Sequence, residues 1–109
     1  MATTYKVLGQ VNPSATTATT AYTVPSATQT VVSTISICNQ ASTAATYRIA
    51  VRVAGSALSA EEYIVYGATV PASDSTFITA GLTLGATDVV TVYASSANLS
   101  FNLFGSEIS

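Results

Sequence analysis

The sequence predicts an all-β fold, a single antiparallel β-sandwich or jelly-roll-like domain of seven or eight short strands spanning residues 1–109. Three observations predict it. The strand-favouring residues Val, Ile, Thr and Tyr dominate the chain, while good helix formers are scarce. Apolar residues recur with a period of two, and turn residues interrupt them at short intervals. A length of 109 residues suits one domain with one core.

The first three candidate strands differ in the strength of their patterns. Residues 5–11 and 21–24 are weak candidates, and the Ala/Thr-rich tract 14–20 between them is expected to be a loop. In residues 31–38, Val31, Ser33, Ile35 and Ile37 alternate with Val32, Thr34, Ser36 and Cys38. This alternation predicts a second long strand.

The fourth candidate strand, residues 47–53, has the clearest period of two. Its odd positions are large and apolar, and its even positions carry Arg or Ala, which is typical of a strand with one buried face. Residues 56–62 are compatible with a single helical turn. Four further candidate strands follow at residues 63–66, 75–80, 88–94 and 99–104. Turn residues such as Asn, Pro, Gly and Ser separate the runs, as in a sandwich or jelly roll.

The composition excludes several classes of function. The chain has no histidine, so it lacks the usual general base and the commonest metal ligand. Its single cysteine, Cys38, cannot form an internal disulfide or a thiolate cluster, and we expect it to be a small buried residue. Three basic residues are too few for a nucleic-acid footprint, which needs about six to ten phosphate contacts.

The sequence also argues against a membrane span or a secretory leader. No stretch approaches the ~18 apolar residues of a spanning helix, and the first residues contain no apolar core of a signal peptide. With one thiol and no export signal, the chain is expected to fold in a reducing cytosol.

No catalytic or metal-binding constellation is predicted, and we expect neither an enzyme nor a cofactor. Asp74 and Asp88 occur in turn sequences, where Asp normally bonds nearby backbone. Glu61 and Glu62 would point to opposite faces of an extended strand. The many serines lack an activating histidine, and no calcium loop with EF-hand spacing is present.

Arg48 and Arg52 are the candidate interface residues. They lie on one face of the predicted fourth strand, about 13 Å apart at ~3.3 Å per residue. One interpretation is that they contact a carboxylate of a neighbouring subunit, because the guanidinium fork binds carboxylates in two-point fashion. The other is an outer solvated face on which each arginine pairs with an acid on an adjacent strand.

Tyr63, Tyr66 and Tyr93 raise the alternative of a sugar-stacking platform. Because Tyr63 and Tyr66 are an odd number of residues apart, a regular strand places them on opposite faces. The sequence therefore favours core or interface packing for these rings.

The low charge is the most informative surface property. Only 7% of residues are charged, against about 25% in ordinary domains, and the net charge is −2. A free monomer with so few charges would lack the lysines that protect strand edges from association. This favours a subunit of an assembly.

Over nearly its whole length the chain resembles a family of small virion structural proteins of tailed bacteriophages, notably cyanophages. The most specific resembling run is the closing one, Ser100-Phe101-Asn102-Leu103-Phe104-Gly105-Ser106-Glu107-Ile108. The other resembling runs are Tyr5-Lys6-Val7-Leu8-Gly9-Gln10, Tyr22-Thr23-Val24-Pro25, Val31-Val32-Ser33-Thr34, Ile37-Cys38-Asn39, Thr46-Tyr47-Arg48-Ile49-Ala50-Val51, Leu82-Thr83-Leu84, Ala86-Thr87-Asp88-Val89-Val90 and Val92-Tyr93-Ala94-Ser95. The chain departs at Gly67, where relatives are expected to carry an acidic residue, so no polar contact is carried over to that position.

The resemblance implies a non-enzymatic component of a tailed-phage virion, assembled in the host cytoplasm. A capsid decoration (cement) protein docking in symmetric repeated copies is slightly favoured. A neck, collar, tail or baseplate subunit is the alternative, and a carbohydrate-binding adhesion module of a phage fibre is a further one. The expected partners are other copies of the chain and virion proteins such as the major capsid protein, without nucleic acid or membrane.

Overall fold

Alternating sequence patterns form eight strands in the computed structural model, which describes residues 2–109. The strands are β1 (Thr3–Val11), β2 (Thr19–Thr23), β3 (Gln29–Asn39), β4 (Ala45–Arg52), β5 (Tyr63–Val70), β6 (Ser75–Leu84), β7 (Val89–Ala94) and β8 (Leu99–Ile108). Each predicted strand is present, and several are longer than predicted. The predicted helical turn is a 3-10 turn at Ala60–Glu62, and the Ala/Thr tract predicted as a loop contributes its last two residues to β2.

The strands form two antiparallel four-stranded sheets. The first sheet has the order β1-β8-β3-β6, and the second has the order β2-β7-β4-β5. The first half of the chain pairs with the second half in reverse order: β1 with β8, β2 with β7, β3 with β6 and β4 with β5. The chain is thus one long two-stranded ribbon wound into two layers, which confirms the all-β sandwich and gives it jelly-roll order.

The core lies between the two sheets. Its largest fully buried side chains include Ile35, Ile37, Ile49, Leu99, Phe101 and Leu103. The rings of Tyr47 in the second sheet and Phe101 in the first meet edge to face, with centroids 6.2 Å apart. The layers therefore share a single apolar interior.

A β-bulge in β3 changes which residues face that core. Against β8 the register shifts between Val32 and Thr34, so Ser33 is an extra residue in β3; against β6 the extra residue lies in β6, between Thr79 and Leu82. As a result Val32 is fully buried, Val31 is only partly buried and Ser33 is exposed. Gly105 lies opposite the bulge, where an added Cβ would come within 1.9 Å of the Val31 carbonyl oxygen.

Cys38 also differs from its prediction. It is only half-buried, and it pairs with Ser100 of β8 on the outward side of the first sheet. Alternation places it there because its neighbour Ile37 is fully buried on the inward side.

Asn39 ties the two sheets together at one end of β3. Its side chain is 1% exposed, and Nδ2 lies 2.9 Å from the carbonyl oxygen of Thr43 and 3.2 Å from those of Val70 and Pro71. Its Oδ1 accepts a hydrogen bond from the backbone N–H of Ala41 at 3.0 Å. Because Val70 ends β5, this amide connects the first sheet to the second.

Tyr22 ties the sheets together at the other end of β3. Its hydroxyl donates to Glu107 Oε2 at 2.5 Å and shares a hydrogen bond with the Thr30 hydroxyl at 2.8 Å. Lys6 Nζ lies 3.3 Å from the other carboxylate oxygen of Glu107. The two ends of the sandwich are thus held by polar contacts, while the space between them is apolar.

No helix among residues 2–109 has both the length and the apolar character needed to cross a bilayer.

Asn39→Ala is expected to lower the free energy of unfolding by about 2–4 kcal/mol, because it leaves several buried backbone groups without a partner. Urea denaturation measures the difference. The neighbouring exposed Gln40 is the control, since Gln40→Ala is expected to change stability by less than about 0.5 kcal/mol. Equal effects of the two changes would contradict a tie through Asn39.

Stability is expected to fall at both pH extremes through Tyr22 and Glu107. Hydrogen bonds from the Tyr22 hydroxyl and from Lys6 hold the pKa of Glu107 below its ordinary value. The ionised Glu107 therefore stabilises the fold above the unfolded pKa of about 4.3, and this stabilisation is lost as the pH falls through the lower folded pKa. Burial, with the Glu107 hydrogen bond, raises the pKa of Tyr22 to about 12, so its contribution is lost between about pH 10 and 12. Glu107→Gln should make the acid limb of a stability–pH curve shallower. An unchanged acid limb would contradict this role.

Candidate functional site

The outer face of the second sheet carries the arrangement with the most chemical character. Arg48 lies on β4, a central strand, and its register partners are Tyr66 on β5 and Tyr93 on β7. Directly paired residues in neighbouring strands project to the same side of a sheet. The three side chains therefore meet on one face.

The guanidinium of Arg48 is stacked between two aromatic rings. Its Cζ lies 4.2 Å from the ring centroid of Tyr66 and 4.2 Å from that of Tyr93. Both distances are well within the ~6 Å range of a cation–π interaction. We call this three-residue unit the Arg48 clamp.

The edge of the guanidinium is left without protein partners. Within residues 2–109, Arg48 makes no hydrogen bond and no ion pair; the ion pair in this part of the chain joins Lys6 and Glu107. A guanidinium has five N–H donors in its plane. The two rings contact the guanidinium from the neighbouring strands β5 and β7, and its donors have no protein partner within residues 2–109.

A β-bulge brings Tyr63 onto the same face as Tyr66, contrary to the prediction. In the register with β4, Tyr66 pairs with Arg48 and Tyr63 pairs with Ala50, so one extra residue lies between the two tyrosines. Their rings are in edge-to-face contact, with centroids 4.9 Å apart and planes at 86°. The parity argument against a shared tyrosine surface is therefore wrong.

Gly67 supplies a second irregularity in β5. It lies between Tyr66, which pairs with Arg48, and Ala68, which pairs with Tyr47, and its φ is 81°. Glycine adopts this left-handed conformation without strain, and no atom lies within 4 Å of the position of a Cβ. Gly67 thus allows the strand to bend beside the clamp.

Arg52 shares the outer face with Arg48, as predicted, but makes different contacts. Its Nε donates to the carbonyl oxygen of Ser56 at 2.7 Å, and its Nη2 donates to that of Gly55 at 3.0 Å. The backbone N–H of Ala54 donates to Asp88 Oδ1 at 2.9 Å. These bonds fix the segment after β4 against the sheet, so the predicted pairing of the two arginines with acids on adjacent strands is wrong.

The 3-10 turn Ala60–Glu62 is held by its own acids. Glu62 accepts hydrogen bonds from the backbone N–H of Ser59 at 2.9 Å and from the hydroxyl of Ser56 at 2.6 Å, in a capping box with Ser59. The Ser59 hydroxyl also donates to Glu61, which lowers the pKa of that carboxyl below its ordinary value. Both carboxylates therefore brace this turn.

An open groove of about 600 Å³ lies beside the Arg48 clamp. We call it the tyrosine groove, and its lining is Leu58, Ser59, Ala60, Tyr63 and Tyr66. Tyr66, which is 65% exposed, belongs to both the clamp and the groove.

The acids outside this face do not gather into a metal site. Asp74 accepts a hydrogen bond from the backbone N–H of Ser75, and Asp88 accepts one from Gly85, as expected for turn residues. In the part of the chain that the structure describes, no group of three or more His, Cys, Asp or Glu residues could hold a metal ion.

The clamp is expected to stabilise the fold as well as to present donors. Arg48→Ala should lower the free energy of unfolding by about 1–2 kcal/mol, because two partly exposed cation–π contacts are lost. A double-mutant cycle with Tyr93→Leu should give a coupling energy of about 1 kcal/mol in urea denaturation. Arg52→Ala, combined with the same Tyr93→Leu, should show almost no coupling, and equal coupling for the two arginines would contradict the stack.

Comparison of the chain with protein-family models, with curated proteins and with solved structures finds no match in any of the three.

Proposed function

We propose that this protein is a non-enzymatic structural component of a tailed-phage virion, with capsid decoration as its first role. It docks in symmetric repeated copies on the major capsid protein. A neck, collar, tail or baseplate position in the same particle is the alternative. The single observation that carries the proposal is the outer face of the first sheet, which has no charged side chain.

The registers of the first sheet identify this face. Residues that are register partners on adjacent strands project to the same side of the sheet. The residues that form this face project to the side opposite the buried Ile35, Ile37, Phe101 and Leu103. We call this surface the uncharged face, and its residues are Val7, Gln10, Thr34, Ser36, Cys38, Ser75, Phe77, Thr79, Ser100, Asn102 and Phe104. The members are hydroxyl, amide, thiol and apolar side chains.

Such a surface is suited to burial against another protein. Phe77 on β6 is 69% exposed, and Val7 on the opposite edge strand, β1, is 46% exposed. Between these strands, Gln10 Nε2 donates to Asn102 Oδ1 at 2.8 Å, which satisfies part of the polar surface within the face itself. A face without charges can be buried at little electrostatic desolvation cost.

The edge strand β6 supports association further. Residues Ser75–Leu84 contain no charged residue and no proline, and β6 pairs on one side only, with β3. Exposed edge strands usually carry charged residues or prolines, which prevent pairing with other chains. An assembled subunit does not need that protection, and many weak contacts repeated by symmetry add up to firm attachment.

The resemblance to small tailed-phage virion proteins supports the same class of function. Its most specific run, residues 100–108, contains almost all of β8, whose outward residues Ser100, Asn102 and Phe104 lie on the uncharged face. The segment that carries the resemblance therefore also builds the proposed docking surface.

Quantitative mass spectrometry of purified virions tests the proposal. A decoration protein should be present in hundreds of copies, near parity with the major capsid protein. About a dozen copies would replace decoration by a neck or baseplate position. Absence of the chain from the particle would overturn the virion proposal.

A surface variant tests the uncharged face directly. Phe77→Lys places a charge on that face and should lower incorporation into particles at least tenfold, equivalent to about 1.4 kcal/mol per subunit. Val53→Lys is the matched control, because Val53 is 66% exposed but lies in the segment over the second sheet. Both variants should keep the wild-type melting temperature. Equal incorporation of the two would exclude the uncharged face as the docking surface.

A further inference from the structure

The outer face of the second sheet is on the opposite side of the sandwich from the uncharged face, and it has a different chemistry. Docking through the first sheet leaves the Arg48 clamp and the tyrosine groove open. Binding of a ligand on this side is therefore compatible with the proposed structural role and independent of it.

The Arg48 clamp has the properties of a preformed anion receptor. Stacking between Tyr66 and Tyr93 fixes the plane of the guanidinium, so little side-chain entropy remains to be lost on binding. The donors on its edge have no partner in residues 2–109. Two parallel N–H donors on such an edge match the two oxygens of a carboxylate.

The nearby acids Glu61 and Glu62 do not form an ion pair with the Arg48 guanidinium in the described residues. Glu62 is bonded to Ser56 and to the backbone of Ser59, and Glu61 is bonded to the Ser59 hydroxyl. Their charge lies near the groove and will weaken anion binding, so the expected affinity is modest. Their placement nevertheless leaves the clamp free for an external carboxylate.

The tyrosine groove indicates what the carboxylate is attached to. Tyr63 and Tyr66 meet at right angles and present ring surface together with phenol hydroxyls. Neither hydroxyl makes a hydrogen bond within the described residues. Sugar rings likewise combine apolar C–H faces with hydroxyl edges, and aromatic residues with a polar end suit such mixed surfaces.

The edge strand beside the groove disfavours an extended peptide as the occupant. Peptides commonly bind at sheet edges by adding a strand, which requires a regular row of backbone groups. β5 is interrupted by an extra residue between Tyr63 and Tyr66 and by Gly67 at a φ of 81°. These bulges break the row next to the clamp.

From these contacts we propose that the Arg48 clamp and the tyrosine groove form a binding site for an acidic saccharide, a chain containing uronic acid residues. Arg48 binds the carboxylate of one sugar, and the rings of Tyr63 and Tyr66 contact the same or the adjacent sugar. This is a ligand-binding function on the outer face of the second sheet, opposite the uncharged face.

Titration of the isolated full chain with trigalacturonate, followed by NMR and calorimetry, tests the proposal. We expect saturable binding with a millimolar or lower Kd and shifts confined to Arg48, Tyr63, Tyr66, Tyr93 and the turn at Ala60–Glu62. The neutral trisaccharide of galactose should bind at least tenfold more weakly. No saturable binding, or equal binding of the neutral sugar, would overturn the proposal.

Two variants of equal charge separate the site from general electrostatics. Arg48→Gln should weaken trigalacturonate binding at least tenfold, and Lys6→Gln, which removes one positive charge on β1 of the other sheet, should change it less than twofold. Tyr66→Leu should also weaken binding. Equal losses for Arg48→Gln and Lys6→Gln would show nonspecific attraction and contradict the site.

A triglutamate peptide amide distinguishes a saccharide from a protein carboxylate. It should bind at least tenfold more weakly than trigalacturonate. If it binds as tightly and shifts the same residues, the clamp is a docking site for acidic protein segments and the saccharide assignment is wrong. Because these measurements use no virions, failure here leaves the proposed structural role unaffected, and the reverse also holds.

Discussion

The register between β3 and β8 is the constraint on which the rest of the structure depends. It places Ile35 beside Leu103 and Ile37 beside Phe101 on the buried side, and it places polar pairs such as Ser36 and Asn102 on the outward side. A slip of one residue would exchange the two sides and expose the core. The bulge at Ser33 keeps both faces correct along the full length of the pair. The uncharged face exists because this register is held.

The two outer faces of the sandwich have separate chemistries because they are built by different strands. The first sheet presents hydroxyl, amide and apolar groups without formal charge, which suits burial against a protein. The second sheet presents a guanidinium in contact with two tyrosine rings, and two tyrosines line an open groove beside it, an arrangement with exposed hydrogen-bond donors and ring surface. Asn39 and Tyr22 hold the layers together at the two ends of β3, so the faces keep a fixed relation.

The strands could be predicted from the sequence because period-two alternation is a local property. The bulges could not, since an extra residue such as Ile64 or Ser33 looks like any other strand residue until its partner strand is known. The Arg48 clamp needs the order β7-β4-β5, which brings together residues far apart in sequence. In the sequence Asn39 resembles any asparagine at the end of a strand, because its amide bonds depend on segments that meet only in the folded chain. The one signal in the sequence for an irregular β5 is Gly67, because a glycine within a strand often marks a bulge. In the structure this glycine has a φ of 81°.

The position of β8 has a consequence for synthesis of the protein. β8 is the last strand to leave the ribosome, yet it lies between β1 and β3 in the first sheet. Until β8 has been synthesised, β1 has no neighbour in that sheet. Pairing Thr3 with Ile108 closes a loop of residues 4–107, and contacts so distant in sequence are expected to make folding slow. A nascent chain must therefore be protected while its apolar sides are uncovered. A chain that stops before β8 cannot complete the first sheet, so the topology itself prevents a truncated chain from reaching the folded state.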